Sequence, residues 1–196
     1  MILFDTPHGR CAIVEGEGTL LPDELAHATT LTEIRQREFA IGRTALRRAL
    51  GEDVAIFPDD RGAPQLPAGW VGSISHKGSR AAGIVAPANT GFVGIDLELA
   101  TASKLPIERR ILTPREQEAV RGREVTLFFA IKEAIYKAID PIVRRYVGFT
   151  EVELTLEGDR AQVIVLDPSR LPVDVEAWWQ ERDGYWLATA RARRRL

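Results

Sequence analysis

The sequence predicts an α+β protein made of two similar halves. Two long amphipathic helical segments, one in each half, are each followed by short strand segments and a hairpin. The hairpin segments 71–86 and 175–190 have equal lengths and turn at a glycine-containing sequence in both cases. We therefore expect two α+β halves packed as a pseudo-twofold dimer, residues 1–98 and 99–196, with the functional site between them.

Composition narrows the class of protein. The 196 residues, 45% hydrophobic and 28% charged, are enough to bury a core without disulfides or a structural metal. The single cysteine, Cys11, cannot form an internal disulfide, and with only three histidines no Cys/His zinc cluster is expected. The chain has no signal-peptide pattern at its start and no apolar run of membrane-spanning length. We expect a soluble cytoplasmic protein that does not bind a membrane.

The segment 31–50 has the pattern of one helix, with Thr32 as its cap and Gly51 as its stop. Its arginines are crowded, although the net charge of −2 gives no general attraction to nucleic acid. Arginines held at fixed positions on a helix suit a small phosphorylated ligand better than a polymer. They are Arg35, Arg37, Arg43, Arg47 and Arg48. A second run of arginines, 191–195, is interpreted as a solvated end.

A turn and a hairpin follow this helix. Residues 59–64 have turn chemistry, and the strands 69–75 and 81–86 form a hairpin around 77–79. The hairpin presents Ser75, His76 and Lys77 together, a set that could hold a pyrophosphate. No acidic partner identifies a Ser-His-Asp triad, and an incidental histidine at a turn is the alternative reading.

The segment 92–99 is predicted to be a strand with two carboxylates on one face. Alternation separates Asp96 and Glu98 from the apolar residues, and places their backbones roughly 7 Å apart. Hard oxygen ligands without nearby histidine or cysteine favour Mg²⁺, with Mn²⁺ as the alternative cation. The other interpretation is the solvated face of an edge strand.

The segment 127–138 is a predicted helix that places Glu133 and Lys137 one turn apart, opposite the buried stripe. A surface ion pair would explain the two charges. Phe129 and Tyr136 share their face, however, and two large rings left in water would be unusual. We therefore expect a cleft on this face, in which Glu133 completes a three-carboxylate cation site or accepts a proton.

Two further patterns limit the function. Thr113 to Glu116 has the form of a capping box with proline at the first helical position, so Glu116 is interpreted as structural. No glycine-rich phosphate loop is present, which argues against P-loop and Rossmann nucleotide enzymes.

Five short motifs, in this order and at this spacing, resemble those of the phosphopantetheinyl transferase superfamily. Within it, the chain is similar to the monomeric members that serve siderophore and other secondary-metabolite synthases. The motifs are Arg35-Gln36-Arg37-Glu38-Phe39 with Arg43, Arg61-Gly62-Ala63-Pro64, Gly72-Ser73-Ile74-Ser75-His76, Gly94-Ile95-Asp96-Leu97-Glu98, and Phe129-Ala130-Ile131-Lys132-Glu133-Ala134-Ile135-Tyr136-Lys137. The chain departs from the family at Ala63, where a lysine is common, and at Gln36, where a second arginine is common.

The resemblance implies roles for ten residues. Asp96, Glu98 and Glu133 match the metal ligands, and Glu133 also matches the proposed general base. Lys132 and Lys137 match positions that contact phosphate, with Lys137 stabilising the leaving group. The coenzyme A phosphates would be held by Ser75 and His76, and the adenosine 3′-phosphate by Arg35, Arg43 and Arg61.

The implied reaction is the Mg²⁺-dependent transfer of 4′-phosphopantetheine from coenzyme A to a serine of an apo carrier protein, with release of 3′,5′-ADP. The implied partners are acyl or peptidyl carrier domains of polyketide or non-ribosomal peptide synthases, docked near residues 112–123 of a monomer. Two alternatives remain open. One is a non-catalytic coenzyme A or nucleotide sensor, and the other is a Mg²⁺-dependent phosphohydrolase that uses water.

Overall fold

The computed structural model describes residues 1–195. The chain divides into two compact units, Met1–Val93 and Gly94–Leu196. This boundary lies a few residues before the one expected after Glu98, so the strand segment with the two carboxylates belongs almost entirely to the second unit. The functional site between two halves stays a prediction, and the two units are described separately.

The first unit packs one long helix on an antiparallel sheet. Its elements are β1 (Ile2–Thr6), β2 (Gly9–Glu15), α1 (Pro22–Ala28), α2 (Glu33–Leu50), β3 (Trp70–Lys77) and β4 (Arg80–Pro87). The strands are ordered β1-β2-β4-β3, and α2 packs on β2 and β4. Leu46, Ala49, Ile56 and Val85 are buried in this core.

Two of these elements end where local sequence signals predict. Helix α2 begins directly after Thr32, whose side chain makes no capping hydrogen bond, and is stopped after Leu50 by Gly51, whose φ of 82° is left-handed. The predicted hairpin is β3–β4, which turns at Gly78 with His76 paired to Ala81. Both predictions are confirmed.

The second unit begins within β5 (Phe92–Leu99) and has a second helix-on-sheet core. It continues through α3 (Glu108–Ile111), α4 (Pro114–Ala119), α5 (Glu124–Val143), a 3₁₀ turn (Phe149–Glu151), β6 (Val152–Glu157), β7 (Arg160–Val165), β8 (Val173–Arg182) and β9 (Tyr185–Arg194). The strands are ordered β5-β9-β8-β7-β6, and α5 packs on β8 and β9.

Most of the arginine run 191–195 belongs to strand β9, and its last three residues are exposed, as expected of a solvated end. Arg193 on β9 forms an ion pair with Glu176 at 3.1 Å, and Arg195 forms one with Asp174 at 2.7 Å. Cross-strand acidic residues on β8 therefore account for this basic run.

None of the helices described in residues 1–195 is both long and apolar enough to cross a bilayer.

Candidate active site

Strand β5 packs closely on helix α5 at Gly94, through the strand face that also carries the two carboxylates. A Cβ added to Gly94 would lie 1.9 Å from the carbonyl oxygen of Ala134, so only glycine allows this approach. Asp96 and Glu98 follow at the same two-residue repeat and share the face of Gly94. Although β5 is an edge strand, Asp96 is only 5% exposed. The structure therefore contradicts the interpretation of a solvated edge for Asp96.

Lys137 of α5 binds the carboxylate strand directly. Its Nζ donates to Oδ1 of Asp96 at 2.7 Å and to the carbonyl oxygen of Ile95 at 3.0 Å. The ion pair of Lys137 therefore joins helix α5 to strand β5. The alternative interpretation, a surface ion pair between Glu133 and Lys137, would have joined only two turns of α5. Five of the predicted site residues lie on these two elements, namely Asp96, Glu98, Lys132, Glu133 and Lys137.

Glu133 lies in the field of the other two carboxylates. Burial raises the pKa of Glu133 above its usual range, and the negative charges of Asp96 and Glu98 raise it further, against Lys137 and Arg110. The negative charges of Asp96 and Glu98 therefore repel the ionised form of Glu133. A proton or a cation at this place would relieve the repulsion.

The donor set fits Mg²⁺ in kind, because all three side chains offer hard carboxylate oxygens. Within residues 1–195, no three His, Cys, Asp or Glu side chains form a ready-made cation site. Oδ1 of Asp96 already accepts a hydrogen bond from Lys137. Binding of a cation by these residues therefore requires local rearrangement.

The aromatic face of α5 is covered by its own unit, so the exposed rings from which a cleft was expected do not occur, and the cleft stays a prediction. The ring of Phe149 lies 5.6 Å from that of Phe129 and 5.1 Å from that of Tyr136. The hydroxyl of Tyr136 donates to the carbonyl oxygen of Gly148 at 2.9 Å. This cover could not be predicted from the sequence, because the 3₁₀ turn that carries Phe149 has no amphipathic repeat of its own.

Lys132 is placed differently from the other predicted site residues. Its side chain is fully buried, and Nζ donates to Glu116 at 2.7 Å and to the carbonyl oxygens of Ile111 and Phe149 at 2.9 Å each. An ammonium group has three N–H donors, and all three are used. The structure thus contradicts the predicted phosphate contact of Lys132.

In the first unit, Glu38 links two of the predicted phosphate ligands. Its Oε2 accepts from Nη1 of Arg35 at 2.8 Å, and its Oε1 lies 3.6 Å from Nδ1 of His76. Arg35 is largely exposed and His76 half-buried, whereas Ser75 is buried in β3. The sequence did not single out Glu38.

Arg43 is a buried guanidinium with an ordered environment. Its Nε donates to the carbonyl oxygen of Ile56 at 2.9 Å, and its Cζ lies 4.1 Å above the ring of Phe39. Burial lowers the pKa of Arg43 to about 10, with Glu24 opposing the shift. The side chain therefore stays charged at neutral pH.

The other arginines of α2 have structural partners. Arg47 is buried and donates to both oxygens of Glu24, at 2.7 and 2.8 Å. Arg37 pairs with Glu33 on the exposed face of the helix. Only some of the crowded arginines are thus left for a ligand, a division that spacing alone did not reveal.

Arg61 lies exposed in the predicted turn. Oδ1 of Asp59 accepts from the backbone N–H groups of Arg61 and Ala63 at 2.8 and 2.9 Å, and Gly62 has a left-handed φ of 86°. This is an Asx turn, as the turn residues predicted.

Comparison with known families shows which family this chain belongs to. A family model described as the 4′-phosphopantetheinyl transferase superfamily matches residues 92–190, and one described as the 4′-phosphopantetheinyl transferase N-terminal domain matches residues 22–86. The chain belongs to the 4′-phosphopantetheinyl transferase superfamily.

Individual relatives cover the chain in part. It is 32% identical over 153 residues to the 4′-phosphopantetheinyl transferase Svp of Streptomyces mobaraensis, across 71% of this chain and 62% of Svp. It is 36% identical over 135 residues to the 4′-phosphopantetheinyl transferase Npt of Nocardia iowensis, across 64% of this chain and 61% of Npt. The holo-[acyl-carrier-protein] synthase structure of Thermotoga maritima is 24% identical with a TM-score of 0.41, across 54% of this chain and 64% of that one. The chain thus spans about three fifths of the length of these two curated relatives.

Proposed function

We propose that this protein transfers the 4′-phosphopantetheine group of coenzyme A to a serine of an apo carrier protein and releases 3′,5′-ADP. The observation that carries the proposal is the ion pair of Lys137 with Asp96, which joins α5 to β5 one helical turn from Glu133. Family membership over the same residues supports it, because the model of the superfamily matches 92–190.

The transfer is a phosphoryl displacement. The carrier serine oxygen forms a bond to the phosphorus that bears pantetheine, and the bond from that phosphorus to the bridging oxygen breaks. Glu133 accepts the serine proton, a role helped by a pKa raised by burial and by its acidic neighbours. Negative charge grows on the departing 3′,5′-ADP, and Lys137 lies at the same site to meet it.

We propose Mg²⁺ as the cation, held by Asp96, Glu98 and Glu133. When bound, it would neutralise phosphate charge as the pyrophosphate link breaks. Lys137 would exchange its bond to Asp96 for one to phosphate, since Asp96 would then serve the cation.

The first unit would supply cationic and polar side chains for the phosphates of coenzyme A. Arg43 is the best organised of them, because its guanidinium is already fixed by Ile56 and Phe39. Arg35 and His76 are gathered by Glu38, and Arg61 lies exposed in its turn. Ser75, buried beside His76 on β3, completes the proposed set.

The proposed partner is an acidic carrier domain of a polyketide or non-ribosomal peptide synthase, which would dock on a monomer in the reducing cytoplasm. The surface near 112–123 exposes Arg115, Arg121 and Arg123 beside Glu118, and these arginines would attract an acidic partner. A cavity of about 560 Å³ there is lined by Pro106, Glu108, Arg109, Leu112, Gln117, Val120 and Arg121.

Release of 3′,5′-ADP, measured with and without an apo carrier protein, tests the proposal against its alternatives. We expect release only when coenzyme A, Mg²⁺ and the carrier are all present. Release without carrier would establish a phosphohydrolase instead. Binding of coenzyme A without release under any condition would establish a sensor.

A further inference from the structure

The side chain of Lys132 is fixed wholly by groups of the second unit. Its Nζ is 0% exposed, and it joins the end of α3, through the carbonyl oxygen of Ile111, to the 3₁₀ turn, through that of Phe149. Its third bond, at 2.7 Å, is to Oε2 of Glu116. A lysine held in this way has no N–H group left for a ligand.

Glu116 is bound as completely as its partner. Oε2 also accepts from the backbone N–H of Thr113 at 2.7 Å, and Oε1 accepts from that of Leu154 at 2.7 Å. Leu154 lies on β6, an edge strand of the sheet, and Thr113 caps α4. The Lys132–Glu116 pair therefore ties α5 to four other segments of the unit.

Lys132 of this pair directly precedes Glu133 in the sequence. On the other side of Glu133, Lys137 binds Asp96 and the carbonyl oxygen of Ile95, and Gly94 lies against Ala134. Two sets of contacts thus hold helix α5 near Glu133. At residue 132 they connect it with α3, α4 and β6, and at residues 134–137 they connect it with β5. These two sets of contacts lie on either side of Glu133 and add to the packing of α5 on β8 and β9, so that together they set the position of Glu133.

We infer that Lys132 and Glu116 are positioning residues that set Glu133 against Asp96 and Glu98, and that Lys132 is not a ligand of coenzyme A. The inference rests on the proposed function. It separates the two neighbouring residues of the Lys-Glu motif, since Lys132 fixes the helix while Glu133 faces the reaction.

The test compares Lys132→Met, Glu116→Gln and the double variant with the wild type. Two quantities are measured for each: kcat for transfer at saturating coenzyme A, and the Kd of coenzyme A by calorimetry without metal. Mn²⁺ binding, followed by electron paramagnetic resonance, reports the carboxylate set independently of turnover. Val173→Ala is the control for lost stability, because Val173 is fully buried in β8 and outside the proposed site.

We expect each single variant to lower kcat about 10- to 100-fold, as a small misplacement of a catalytic group does, and to weaken Mn²⁺ binding. The Kd of coenzyme A should stay within about twofold of the wild type, since no ligand contact is lost. The double variant should be no worse than either single one, because both remove the same support. Val173→Ala should lower Tm while kcat, measured well below Tm, is retained.

A loss of coenzyme A affinity in Lys132→Met that is absent in Glu116→Gln would overturn the inference and restore Lys132 as a ligand. Unchanged kcat and Mn²⁺ binding in folded Glu116→Gln would overturn it as well. If Lys132→Met does not fold, Glu116→Gln alone decides, because the expected fall in kcat at constant Kd follows only from positioning. Failure of the proposed function is distinct, since the wild type itself would then transfer nothing.

Discussion

At the scale of single residues, the partners and the exposure of each charged side chain distinguish the residues of the candidate site. Lys137 and Lys132 are five residues apart on one helix, yet Lys137 keeps a 30% exposed side chain on Asp96 while Lys132 is fully enclosed. Exposure, more than residue type, separates a group that can meet a substrate from one that holds the fold.

Lys137→Met should lower kcat for transfer about a hundredfold, because in the proposed reaction this cation meets the charge that grows on the leaving phosphate. Steady-state release of 3′,5′-ADP in the presence of carrier measures the effect. Lys104→Met, at an exposed position, is the matched control and should leave the rate unchanged. A Lys137 variant as active as this control would remove Lys137 from the reaction.

Glu133→Gln should stabilise the cation-free protein while abolishing transfer. The pKa of Glu133 is raised in the folded state, so folding favours its protonated form and the ionised form costs stability at neutral pH. Without Mg²⁺, the Tm advantage of the variant should therefore be largest at neutral pH and shrink as the pH falls through the raised pKa.

Thermal unfolding in EDTA at neutral pH and at about pH 5 measures this difference. Added Mg²⁺ should stabilise the wild type more than the variant, because a ligand stabilises the state that binds it. A variant less stable than the wild type in EDTA at neutral pH would contradict the repulsion inferred among the carboxylates.

The role of a residue could be predicted when the residues that determine it lie close by in the sequence. Asp96 and Glu98 could be identified from a two-residue repeat, and Glu116 from its capping box, which the structure confirms. The partners of Lys132 lie 16 to 17 residues away at Glu116 and Phe149, where no periodicity connects them. Its burial therefore could not be predicted.

At the scale of elements, the central feature is the close packing of β5 on α5. Gly94 permits it, and the same strand face then carries Asp96 to Lys137. A strand with alternating glycine and carboxylates is thus suited both to approach a helix and to place charges beside it.

Gly94→Ala should separate the two elements, since its Cβ would meet the backbone oxygen of Ala134 at 1.9 Å. Overpacking of this kind costs about 1–3 kcal/mol, and we expect a lower Tm and a fall in transfer at saturating Mg²⁺. Chemical denaturation and the 3′,5′-ADP assay measure the two effects.

Gly148→Ala is the matched control for this prediction. Its added Cβ would meet nothing closer than Oε1 of Glu151 at 3.8 Å, and its φ of −75° suits any residue. A Gly94 variant that behaves like this control would contradict the tight packing of β5 on α5.

Element ends were predicted well wherever a turn residue marks them. The hairpin around 182–184 is confirmed, with Asp183 and Gly184 both at positive φ between β8 and β9. The ion pairs of the run 191–195 could not be predicted, because its acidic partners on β8 lie 17 to 21 residues away.

At the scale of the whole molecule, the two units repeat one plan. Each packs a long helix, α2 or α5, on an antiparallel sheet of four or five strands. The predicted α+β class is confirmed, because paired hairpins and long amphipathic helices are the features that sequence patterns report best. Each unit is matched by a family model of the 4′-phosphopantetheinyl transferases, at residues 22–86 in the first unit and 92–190 across the second.

The measurement that tests the central claim most directly is the mass of an apo carrier protein after incubation with this protein, coenzyme A and Mg²⁺. A reaction with EDTA and one with Glu133→Ala serve as controls. We predict a gain of one phosphopantetheine group in the complete reaction and none in either control. No gain across several carrier proteins, while coenzyme A still binds, would contradict the account.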